Sequence, residues 1–363
     1  MSAPRASGYF RTSYERDQTL LDTRAQKAWL AAFCVAATAY PFIAGAFALD
    51  LANQVLLTSI GAIALMLLTG YAGQISLGHA GLLAAGAFTT GILFKEIGAS
   101  FWVTLPASAA VGALIGLVFG LPSLRLRGLY LAVSTLALHF MVIHAGQEYE
   151  TRRGHSTGVV IDPPAFSTPF GDWVLSDPRA WYFVLLAAAA ATTLFSLNLL
   201  RGRTGRAWRA IHGREAVAAA LGINVKAAKL SAFVVSCTLT SIAGCLFAYY
   251  RGFVSAEAFS LYLTIQYVAT VIIGGIGSVL GAILGTVFVV LFPYGIEALM
   301  SALGLAERFS SMVFAVNYAA FGLAMILFLV FEPQGLVGIW RRVQAWFLLW
   351  PFKQKPVKGH AGK

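Results

Sequence analysis

The chain predicts an all-α integral membrane protein, a polytopic bundle of about ten transmembrane helices with Gly-rich broken helices. Three observations predict it. Of its 363 residues 58% are hydrophobic and 11% charged, against roughly 25% charged in an ordinary soluble domain. Several apolar runs reach the roughly 18 residues needed to cross a hydrocarbon core about 30 Å thick. Alternating apolar and polar segments of about ten residues, the mark of a barrel, are absent, and in lipid only helices or closed barrels satisfy the backbone.

The runs follow in order. Residues 1–28 are polar and mixed in charge and read as a cytoplasmic N-terminal tail, not a cleaved signal. The first two spans are Trp29–Leu49 and Leu51–Thr69. A Gly-rich break, GYAGQISLGHAG over Gly70–Gly81, precedes a short third run, Ala80–Phe94. Phe101–Gly120, Leu129–Gly146 and Trp181–Leu200 come next, with a Pro- and Gly-rich segment over 148–180 between the last two. That segment reads as an ordered loop, with room for a short surface helix, rather than a domain. Beyond the polar loop 201–229 lie Leu230–Tyr250, Leu261–Ile273, Val279–Leu299 and Ser311–Phe331. Residues 29–340 thus form one transmembrane domain, and 341–363 a basic C-terminal tail. Cys34, Cys237 and Cys245 all fall in apolar runs without metal-ligand spacing, and are expected as free, buried thiols.

Charge gives orientation. With an even number of spans and both termini in the cytoplasm, the inner segments hold 20 of the 26 basic residues, including Arg125, Arg127 and seven in the 201–229 loop. The outer segments hold 10 of the 15 acids. This is the bias expected of cytoplasmic loops, and it explains the net charge of +11 without nucleic acid.

Gly70–Gly81 supports two readings. Glycine costs about 1 kcal/mol against alanine inside a helix, and irregular backbone at membrane depth survives only beside protein or a water-filled path. Gly73, Gln74, Ser76, Gly78 and His79 are therefore candidates for a translocation path. The same residues would also serve as a solvated turn between two spans. Gly112, Gly116 and Gly120, and again Gly277, Gly281 and Gly285, repeat every fourth residue and read as helix-packing ladders. Gly274–Ser278 resembles a second break, too weakly to establish a repeat. His139 and His144 are intramembrane candidates, though a histidine bonded to a carbonyl serves structure alone. The chain has no GxxxxGK[ST] loop, HExxH pair or GxSxG elbow. It offers no catalytic residue, no metal site and no cofactor site.

In the basic loop Trp208, Ile211, Val217, Ala220 and Leu221 form an apolar stripe on a short helix or helix pair, with Gly222 placed to end it. Such a stripe suits a groove on a soluble partner. Arginines beside a tryptophan suit anionic lipid equally well.

Glu215-Ala216, then Ala218 to Gly222, then Ile223-Asn224 resembles the Glu-Ala-Ala…Gly loop of ABC-importer permeases. RGRTGRAWRAI before it and GINVKAAKLSAF after it are similar to the branched-chain amino-acid permease family in particular. GYAGQISLGHAGLLAAGAF and the closing FEPQGLVGIW (Phe331–Trp340) resemble that family's early signature and its end. The order of loops is that of its LivM-type subunit. The resemblance covers roughly Trp29 to Trp340. Family members often carry a TGG-like stretch in the outer loop, where this chain reads TRRGHSTGVVIDPP. The resemblance implies an ABC-importer permease of the bacterial inner membrane, moving branched-chain amino acids or a related small polar solute. Its partners would be a second, homologous permease, two ATP-binding cassette ATPases and a periplasmic substrate-binding protein. Glu215, Ala216, Ala218 and Gly222 would couple to the ATPase, and the chain would have no ATPase site of its own. A secondary transporter driven by an ion gradient is the alternative from another class. It would need carboxylates or paired histidines within the spans.

Overall fold

Long apolar runs bounded by glycine and proline fold as helices wherever they are long enough. The computed structural model describes residues 24–124, 128–154, 158–168, 171–302 and 313–349. Most of the expected N-terminal tail and the last fourteen residues lie outside them, as do Arg125 and Arg127. The helices are α1 (Arg24–Ile43), α2 (Ala46–Leu65), α3 (His79–Ile97), α4 (Phe101–Ser123), α5 (Leu129–Arg152) and α6 (Pro178–Arg201). Then come the short α7 (Arg203–Gly213) and α8 (Glu215–Ala220), followed by α9 (Val225–Arg251), α10 (Leu261–Gly274), α11 (Val279–Ala302), α12 (Val313–Phe331) and α13 (Gly335–Leu349). The first nine residues of the expected C-terminal tail thus continue a helix.

Among the described residues six helices are long and apolar enough to cross a membrane: α2 with its extension to Tyr71, α3, α4, α6, α9 and α11. The pair α12 and α13, bent by 51° at Glu332–Gln334, would make a seventh. The architecture is that of an all-α polytopic membrane protein. Within the most apolar stretch of each helix, 67% of α2 and 61% of both α3 and α9 is buried inside the chain, against 28% of α4 and α6. The first three are the interior of the bundle and the others its periphery.

The interior helices touch backbone to backbone. A Cβ on Gly86 of α3 would strike the Ser241 carbonyl of α9, and one on Gly244 of α9 would strike the Leu83 carbonyl of α3. The ladder Gly112, Gly116 and Gly120 seats α4 on α9, where a Cβ would come within 2.5 Å of Ser241 Oγ, 2.9 Å of Val234 Cα and 2.8 Å of Leu230 Cδ1 respectively. Of the second series, Gly281 and Gly285 meet the backbone of α10, whereas Gly277 precedes α11 in a turn at φ +81° and lies on no helix face.

Four expectations change. The break between the first two spans falls at Ala44–Gly45, not at Asp50. Asp50 stays inside α2 because its carboxylate is satisfied there: the Tyr250 hydroxyl donates to one oxygen and Gln54 Nε2, at 2.6 Å, to the other. Cys237 and Cys245 are buried, but Cys34 is exposed, since α1 rests on the bundle mainly through α6, where Tyr182 donates to Ala37 O at 2.9 Å. The third change is in the 148–180 segment, whose described residues carry strands rather than a surface helix. β1 (Val159–Val160) pairs antiparallel with β4 (Phe253–Val254), and β2 (Ala165–Thr168) forms a hairpin with β3 (Gly171–Val174). This end is pinned by Arg153, which bridges to Glu96 at 3.0 Å, and by Asp177, which caps α6 by accepting from Arg179 N. The fourth change, the position of Gly277, shortens the second ladder to two residues.

Candidate functional site: the Gly-rich turn and the basic loop

The α2 helix widens into a π turn over Met66–Tyr71 and stops. The chain then runs irregularly from Ala72 to Gly78, and α3 begins at His79. Gly73 sits at φ +70°, where any side chain would be strained and a Cβ would lie 3.3 Å from the His212 ring. A Cβ on Gly78 would strike Thr135 O, and one on Gly81 would come within 2.7 Å of His139 Cα, so α5 presses directly on this segment.

Its polar groups are bonded to three other elements, α5, α9 and α10. Gln74, 5% exposed, donates from Nε2 to Lys229 O at 3.0 Å. Leu77 N donates to Thr135 Oγ1 at 2.9 Å and Ala80 N to Thr264 Oγ1 at 3.0 Å. Ser76 Oγ accepts from Gly78 N. His79 is buried, with Nδ1 3.5 Å from Thr240 Oγ1 and its ring 4.6 Å from that of Tyr267. Side chains thus satisfy orphan amide groups at the start of α3. A freely solvated turn would need none of them.

The basic loop folds against the same turn. Trp208 and Ile211 are buried, and Trp208 Nε1 donates to Ser231 Oγ at 3.1 Å. These two residues anchor α7 within the bundle. Arg209 Nη2 donates to Leu200 O at 2.5 Å and Arg206 Nη1 to Arg201 O at 2.8 Å. Both therefore close the carbonyl end of α6. The stripe divides: Trp208 and Ile211 are buried, while Val217, Ala220 and Leu221 are exposed, Leu221 at 76%; Ala218, outside the expected stripe, is the buried residue of α8. α8 ends in a Schellman motif, with Ile223 N bonded to Ala218 O and Gly222 N to Ala219 O, and Gly222 at φ +83°.

Glu215 Oε1 lies 2.5 Å from Lys229 Nζ. Gly73, Gln74, His212, Glu215 and Lys229 line one cavity of about 190 Å³. Gly73 and Gln74 thus meet the loop, whereas Ser76, Gly78 and His79 lie deeper, against α5, α9 and α10. Lys229, His212, Thr135 and Tyr267 carry no local signal of their place at the turn, since each meets it from 58 or more residues away in the chain. The lysine side chain is 12% exposed and the glutamate 38%. Glu215→Gln should therefore destabilise more than Lys229→Met, because it strands the more buried charge. The double variant should recover about 1 kcal/mol. Thermal unfolding of the four detergent-solubilised forms measures this, and the reverse order would dissociate the pair from stability.

The model of the family described as branched-chain amino acid transport system / permease component matches residues 47–331. This chain belongs to that family. The high-affinity branched-chain amino acid transport system permease protein LivM of Salmonella typhimurium is 32% identical to it, over 87% of this chain and 76% of the relative. The LivM protein of Escherichia coli is 30% identical over the same shares. A probable LivH permease of Methanocaldococcus jannaschii is 25% identical over 71% of this chain and 82% of its own length. No solved structure matches. Both the Gly-rich turn and the basic loop lie inside the matched residues.

Proposed function

We propose that this permease subunit moves branched-chain amino acids, or a closely related small polar solute, across the bacterial inner membrane. It pairs with a homologous second permease. Two ATPase subunits supply the hydrolysis, and a periplasmic binding protein delivers the solute. Ten spans follow if α1, α5, α10 and α12 cross with the six longer helices, with both termini cytoplasmic. Gly70–Gly81 shapes the path and Glu215–Gly222 docks on an ATPase.

One observation carries the reading: the Gln74 amide bonded to the Lys229 carbonyl, whose ammonium holds Glu215. A push on α8 reaches the Gly-rich turn through one residue. Two-state elements that both sites touch are what physical coupling requires.

Orientation is tested by labelling single cysteines in intact cells. Cysteines near Arg209 should react only with a permeant reagent, and one at Asp162 with an impermeant one. Labelling of the 209 site from outside overturns the topology.

A further inference from the structure

Away from the basic loop, a second cavity of about 470 Å³ opens between α2, α3, α9, α10, α11 and α12. Its size is that of a small-molecule site, roughly 300–1,000 Å³. Its wall carries the apolar Leu57, Leu83 and Val289 beside Thr58, Gln266 and Thr270. Tyr267 also lines it, with its ring 4.6 Å from the His79 ring of the Gly-rich turn. Arg251 ends α9, and Glu297 stands on the last two turns of α11. Both line the cavity, and neither forms an ion pair with the other or with any described residue. Asn317 of α12 also lines it, and its Oδ1 is enclosed without a donor among the described residues. A buried acceptor left open in this way can take a donor from a bound molecule. Opposite charges and an unmet acceptor around a partly apolar cavity fit neither a lipid chain nor a simple ion.

We propose that this cavity is a solute site of the permease itself and takes a small amino acid as its zwitterion. The Arg251 guanidinium receives the carboxylate. Glu297 and Asn317 Oδ1 accept from the ammonium, and the aliphatic side chain lies against Leu57, Leu83 and Val289. The proposal rests on the importer reading for its substrate class. It adds that the permease recognises the two charged groups of the solute, instead of merely letting it pass once released by a binding protein.

The test reads binding, not transport. In the full chain, co-expressed with its partner subunits, Cys34→Ser removes the exposed thiol and Val290→Cys places a new one on the cavity wall. Its alkylation by a small maleimide is timed in membranes with L-leucine, with isocaproate, which lacks the ammonium, and with isoamylamine, which lacks the carboxylate. Leucine at about ten times its dissociation constant leaves roughly one site in ten free and slows alkylation roughly tenfold. The two analogues should protect far less, and Arg251→Gln or Glu297→Gln should abolish protection by leucine. Equal protection by all three, no protection, or a thiol that reacts only after lipid is stripped away overturns the zwitterion site. Leucine uptake measured on the same membranes separates the readings. Uptake without protection sinks this proposal alone, whereas protection without uptake sinks the importer reading and leaves the site.

Discussion

Gly222→Asp is expected to leave the subunit inserted and assembled, and to abolish both substrate-stimulated ATP hydrolysis and uptake. The residue sits at φ +83° with open space around the position of a Cβ, so the isolated chain loses only the cost of a left-handed backbone, about 1–2 kcal/mol. The damage arises in the complex. Gly222 closes the turn that presents Val217, Ala220 and Leu221, and a carboxylate there would be desolvated against any partner that covers them. The lipid alternative predicts loss after removal of Arg203, Arg206 and Arg209 instead. Arg206 and Arg209 are already bonded to the end of α6, so their removal should first loosen α7. ATPase pull-down and hydrolysis assays compare the two sets. A Gly222→Asp subunit that couples like the parent, beside a triple arginine variant that does not, would end the docking reading.

Gly86→Val and Gly244→Val are expected to prevent assembly altogether. Each added side chain meets a carbonyl of the facing helix, not a side chain that can swing aside. Overpacking against groups that do yield costs roughly 1–3 kcal/mol, and here α3 and α9 would have to part along their length. Fluorescence-detected size exclusion should show aggregate or no peak for either variant, while Gly45→Val, with open space at its Cβ, elutes as the parent. A monodisperse Gly244→Val chain would mean that the interior pair is looser than described. The same geometry extends to the Gly-rich turn. Gly78→Leu meets the Thr135 carbonyl and should fail to assemble, whereas Gly73→Leu meets the His212 ring and strains one turn, making it the sharper probe of transport.

Much of the fold was legible because helix existence follows from apolar length. The boundaries were less so. Asp50 looks like a breaker because, of its two partners, only Gln54 is close in sequence and Tyr250 lies 200 residues away. Gly277 fits the spacing of a ladder, yet it occupies a turn that touches Gly70, a contact between two breaks distant in sequence. The 201–229 loop was read as one stripe. The fold divides it, since Trp208 and Ile211 are drawn inward while Val217 and Leu221 are left uncovered by the described residues. At the candidate site Gln74 and Glu215 stood out separately. Their joining residue, Lys229, looked like one more positive charge at the membrane edge.

That joint limits how the subunit can be re-engineered. A graft that exchanged only residues 201–229 for another permease's loop, to redirect the subunit to a different ATPase, would bring a foreign residue under Gln74 and a foreign side chain against Gly73. On the proposed coupling, the transferable module is discontinuous: the turn at 66–81 must travel with the loop at 201–229, and a chimera that carries one without the other should bind its new ATPase yet transmit nothing.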